Sequence, residues 1–126
     1  MWGIGEVISS QLKEIDVGER LYGLFPMSSH VLMTPGDVTD RGFTDLVPHR
    51  QALPGLYNQY ARTRSEPVAW QVLEDQRCVF FPLFMTGYVI ADLLLDNEWY
   101  GVEQVLIGSA SSLSLIHISE PTRHAS

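Results

Sequence analysis

The apolar run from Cys78 to Leu95, CVFFPLFMTGYVIADLLL, sets the terms for the rest of the chain. It has the length of a membrane span, but it contains Pro82, Gly87 and Asp92. A carboxylate deep in a bilayer costs about 2.5–3.5 kcal/mol. The pattern therefore predicts a soluble helix, opened by Pro82 and buried on most of its circumference. Leu83, Gly87, Ile90 and Leu94 recur at helical spacing on one face, and Phe84, Tyr88, Ala91 and Leu95 thicken it. Asp92 and Asp96 are four apart and mark an edge that meets water, and Asn97 is placed to stop the helix in the left-handed conformation. Such a helix needs a second layer to pack on, and the preceding residues must supply it.

Those residues read as β-rich. Gly3–Ser10 is a short strand that starts with small residues, and Asp16-Val17-Gly18-Glu19 is a turn in which Gly18 can take positive φ. Arg20–Phe25 and His30–Met33 are two more β-favouring runs, closed by Pro26 and by the Thr34-Pro35-Gly36 turn. From Asp45 to Pro67 the texture turns polar and proline-rich, with regular structure limited to one or two helical turns at Leu56–Arg62. Ser65 and Pro67 then suit the start of a helix running from Val68 to Cys78.

Composition narrows the partners. The 126 residues fit one small domain, and a net charge of −7 argues against nucleic acid or an anionic membrane, both of which call for a basic face. Arg62 and Arg64 are the one close basic pair and read as solvated surface. The single cysteine, Cys78, allows no internal disulfide and reads as a buried thiol, and with no leader visible at Met1-Trp2-Gly3 a cytoplasmic location is expected.

After the long helix comes Val102–Ser112, in which a short apolar, β-branched strand from Val105 runs into the small residues Gly108-Ser109-Ala110-Ser111-Ser112. Strand followed by a loop of tiny residues is how a nucleotide-binding βαβ unit begins, and an edge strand with a surface turn has the same pattern. Leu113–Arg123, LSLIHISEPTR, resembles the translation of a transposase-type sequencing-library adaptor, so His117 and His124 carry no functional weight. Its Pro121 and β-branched alternation are poor material for the helix that should follow a phosphate loop.

Five segments carry a family resemblance: WGIGEV at Trp2–Val7, GERLYG at Gly18–Gly23, PHR with LPGLYNQY across Pro48–Tyr60, PLFMT at Pro82–Thr86, and SASS at Ser109–Ser112. On these the chain resembles the DUF2855 family, itself similar to zinc-free, quinone-reductase-like medium-chain dehydrogenases/reductases. The resemblance implies an α+β fragment of a longer parent: a partial GroES-like β-barrel, then helices, then the first strand of a truncated Rossmann domain. The corresponding divisions are a β-rich region at 1–45, a Pro-rich insertion at 46–81, a linking helix with the strand and loop start at 82–112, and the adaptor-derived tail at 113–126.

It further implies an NAD(P)H-dependent, zinc-independent oxidoreductase acting on a small molecule, with NADP or NAD held in the parent by Gly108, Ser109, Ala110, Ser111 and Ser112. The fragment itself is expected to bind no nucleotide and to be inactive, and a homo-oligomer stays open. Tyr57, Tyr60 and His49 are the candidate donors for charge developing on a substrate oxygen, although two tyrosines at i, i+3 more often simply pack. One cysteine and two credible histidines, His30 and His49, do not make a zinc site. The other class compatible with the sequence is a fragment of a non-catalytic binding or scaffold protein on the same fold.

Overall fold

The computed structural model describes residues 1–106. The chain divides into two compact units, Met1–Cys78 and Val79–Ser126. The first is built on a five-stranded, wholly antiparallel open sheet: β1 (Trp2–Glu6), β2 (Arg20–Leu24), β3 (Pro35–Gly36), β4 (Gly42–Asp45) and β5 (Gln59–Arg62), in the order β1-β2-β5-β4-β3. With one main helix, α2 (Glu74–Asp96), preceded by the short α1 (Val68–Val72), the class is α+β.

β1 and β2 pair in full register from Trp2 opposite Leu24 to Glu6 opposite Arg20. The ladder continues through Val7, whose N–H donates to the Glu19 carbonyl at 2.9 Å, and the Gly18 N–H returns to the Val7 carbonyl at 2.8 Å. Gly18 has φ +88°, as its turn requires. Gly23 is needed for a different reason. A Cβ there would lie 2.4 Å from the Tyr60 ring, which sits directly across the strand. The core gathers on this face of the sheet: Ile15, Leu21, Phe43 and Tyr60, with Val7, Phe25, Met33 and Val38 packed against them.

Several expectations are corrected. His30–Met33 forms no strand; its β-favouring side chains have no neighbouring strand to pair with. Pro35-Gly36, read as a turn, is instead the outer strand β3, where proline's missing N–H faces away from the ladder. Leu56–Arg62 is a 3-10 turn at Gly55–Asn58 followed by β5, the central strand, because β2 and β4 offer its backbone partners on both sides. Ser65 does not cap a helix; its hydroxyl donates to the Asp40 carbonyl, and Pro67 is the residue that precedes α1.

Pro82 does not open the long helix but lies inside it, and the helical stretch breaks earlier, at Leu73 (φ −112°, ψ 39°). Asn97 is not left-handed (φ −101°). It ends the helix by donating its side-chain amide to the Leu93 carbonyl at 2.8 Å, and Glu98, Trp99 and Tyr100 take the positive φ values. Nor is the helix buried on most of its circumference: Gly87 is its one buried residue among those described, and Phe80, Phe84, Tyr88 and Leu95 are each more than half exposed. By length and composition alone it is long and apolar enough to cross a membrane.

Candidate functional site

Three of the segments that carry the family resemblance, Trp2–Val7, Gly18–Gly23 and Pro48–Tyr60, meet at β2. Trp2 stacks on Tyr22 (centroids 5.7 Å apart, planes 17° apart), and its ring also approaches Tyr57 at 6.2 Å. Arg50 is buried and donates to the Asn58 side-chain oxygen at 3.2 Å and to the Leu24 carbonyl at 3.1 Å, with the Tyr57 carbonyl as a third acceptor. Asn58 returns its amide to the Arg50 carbonyl at 3.0 Å. The Tyr60 hydroxyl donates to the same Leu24 carbonyl at 2.9 Å. A buried guanidinium is tolerated only with its donors matched, and here the match fastens the proline-rich segment to the sheet.

This places the three candidate donors. Tyr60 is 1% exposed and its hydroxyl is engaged with backbone; burial raises its pKa, against the favourable charge of Arg50 nearby. Tyr57 stands exposed on the 3-10 turn with its ring near Trp2, and His49 is exposed on the turn at Pro48–Arg50. The three do not share a pocket.

On the other side of Tyr22, Arg77 lies with its guanidinium carbon 3.6 Å from the ring centre and pairs with Glu66. Burial pushes the Tyr22 pKa up to about 12, and burial likewise raises Glu66. Cys78 is half-buried, with its thiol pKa raised by burial, so it stays protonated near neutrality and is a poor nucleophile. Arg62 is a correction to the solvated reading of the basic pair. It is 3% exposed, 3.4 Å from the buried Glu19 carboxylate, and donates to the Glu14 carbonyl at 2.6 Å, while Arg64 stays at the surface and reaches Glu19 at 3.1 Å. The pair ties the Gly18 turn to β5.

A groove of about 880 Å³ lies on the core face of the sheet. Its floor includes Val7, Ile15, Leu21, Phe25, Met33 and Phe43, and its walls are the irregular stretches at residues 8–12 and 28–34. Ser29 Oγ and His30 Nδ1 lie 3.0 Å apart on one wall, and Ser28 donates to the His30 carbonyl at 2.8 Å. Sequence reading missed this site because its lining is ordinary core material; only the exposure of Ile8 (77%) and Leu32 (87%) beside it marks it as open. Among the described residues no three His, Cys, Asp or Glu side chains converge as metal ligands.

The proposed nucleotide loop, Gly108 to Ser112, lies outside the described residues. Of the strand expected from Val105, the two described residues, Val105 and Leu106, pair with no strand among the described residues, and Leu106 is 99% exposed.

Residues 1–119 match the family described as protein of unknown function DUF2855. The chain belongs to the DUF2855 family. The match takes in the β-rich unit, both helices and the residues that follow them as far as 119. Neither a comparison with curated proteins nor one with solved structures finds a match.

Proposed function

We propose that this DUF2855 chain supplies the substrate side of a nicotinamide-dependent, zinc-independent oxidoreductase acting on a small molecule. The observation that supports it is the groove: its volume lies in the range of small-molecule sites, and it is mainly apolar with a few polar groups on its walls. The oxidoreductase class and the kinship with GroES-like and Rossmann-containing reductases come from the segment resemblance. The same reading takes Gly108 to Ser112 as phosphate-contacting residues and 113–123 as translated adaptor; the family match to residue 119 overlaps the first part of that stretch.

A second reading, a binding or scaffold module without catalysis, is favoured by one observation. The Tyr60 hydroxyl is committed to the Leu24 carbonyl, and His49 and Tyr57 stand apart from the groove. Calorimetric titration of NADPH and NADH decides between them, run on this chain and on a family member with a complete βαβ unit after the segment equivalent to Val105–Ser112. The oxidoreductase reading expects the longer protein to bind one nucleotide, and this chain to bind neither at sub-millimolar concentration. A folded longer protein that binds neither nucleotide leaves the scaffold reading.

A further inference from the structure

We propose that the groove binds a neutral aliphatic molecule with a single oxygen-bearing head, the oxygen at Ser29 and His30 and the hydrocarbon along Val7, Leu21, Phe25 and Phe43. This rests on the reading of the groove as the substrate site and needs nothing from the nicotinamide part of it.

The charge of the lining decides the class. Around the groove the charged groups are the Glu6 carboxylate and the N-terminal amine of Met1, and the amine already donates to the Phe25 carbonyl. Among the described residues no lysine or arginine lines it. An anionic ligand would lose its hydration beside the Glu6 carboxylate, with only the Met1 amine, already engaged by the Phe25 carbonyl, to offset the loss. A neutral chain gives up only unfavourable contact with water.

The polar groups decide the head. Ser10 is occupied with the backbone of Leu12 and Ser28 with the carbonyl of His30, while Ser9 and Gln11 lie on the other wall, away from Ser29 and His30 in sequence. The Ser29 hydroxyl and the His30 ring contact each other and keep further donor and acceptor capacity, enough for one ligand oxygen. Ile8 and Leu32 are exposed beside them, so a ligand entering there would cover apolar surface that is otherwise wet.

The test uses decanol, decanoate and decylamine, each below its micelle concentration. They are titrated into the chain by calorimetry while methyl resonances of Ile15, Leu21 and Met33 are followed. Decanol is expected to bind at least tenfold more tightly than decanoate and to move those three methyl signals. Ile8→Lys and Leu32→Lys, at exposed positions that do not threaten folding, are expected to weaken decanol several-fold and to improve decanoate. Ser29→Ala together with His30→Ala should weaken decanol several-fold without disturbing the methyl dispersion.

Equal affinity for decanol and decanoate overturns the proposal, as does a chain with dispersed methyl signals that ignores decanol. So does a sedimentation result in which a second copy fills the groove, seen as a dimer that Leu32→Lys dissociates. The alcohol titration contains no nucleotide. A decanol site without NADPH binding in the longer protein overturns only the oxidoreductase reading, and NADPH binding without a decanol site overturns only this one.

Discussion

Tyr60 is the residue on which catalysis and packing make opposite claims. Its ring covers Gly23, lies 5.1 Å from Phe25 and 5.7 Å from Phe43, and its hydroxyl meets the Leu24 carbonyl that Arg50 also reaches. Removing the hydroxyl leaves the Leu24 carbonyl with the arginine and keeps the ring. Tyr60→Phe should therefore cost about 1 kcal/mol of unfolding free energy in a urea titration, the worth of one neutral hydrogen bond. Loss of turnover in an active longer protein, with stability unchanged, would instead make the hydroxyl a catalytic group. The neighbouring buried pair, Arg62 with Glu19, could not be read from sequence at all. Nothing in the spacing of two arginines tells which one the strand turns inward, because that depends on β5 being a strand rather than a helical turn.

At the scale of elements, what was legible followed from local chemistry. β1, β2 and the positive φ of Gly18 lie where glycine placement and alternation put them, since a hairpin is specified largely by its own residues. β5 was missed because four residues are too few to show a period, and its state is fixed by two neighbours distant in sequence. The groove was missed for the same reason: its floor comes from β1, β2, β4 and two irregular stretches, and no window of sequence contains it. Pro82 was misread because proline most often sits in a first turn, whereas here helix extends on both sides of it. An interior proline removes the amide that would donate one turn back, and relative to alanine it costs about 3 kcal/mol. The Thr86 hydroxyl, donating to the Pro82 carbonyl at 2.9 Å, does not replace that bond. Pro82→Ala should then raise helicity by circular dichroism and stabilise the chain by about 1–3 kcal/mol; an unchanged or lower midpoint would mean that the interruption is matched elsewhere in the fold.

The chain joins a sheet with a buried core to a helix of which Gly87 is the one fully buried residue among those described. Phe80, Phe84, Tyr88 and Leu95 recur at i, i+4, i+8 and i+15, a single stripe of large side chains, and Val89 and Leu93 are exposed away from it. A stripe of this kind exceeds what a soluble monomer ordinarily leaves wet, and removing it from water is the strongest force available to the chain in solution. The net charge of −7 opposes association, but at physiological ionic strength surface charges are screened beyond about 8 Å while contact between the stripes is not. Self-association should therefore prevail. Sedimentation velocity is expected to show a weight-average mass that rises with concentration, and Phe80→Glu with Tyr88→Glu should return it to the monomer by setting carboxylates in the middle of the stripe. Both positions are exposed, so the sheet's unfolding midpoint should not move. A wild-type chain that stays monomeric across a hundredfold concentration range, yet partitions onto neutral lipid vesicles until the two glutamates are introduced, would assign the stripe to a bilayer instead and reopen the membrane reading that Asp92 argued against.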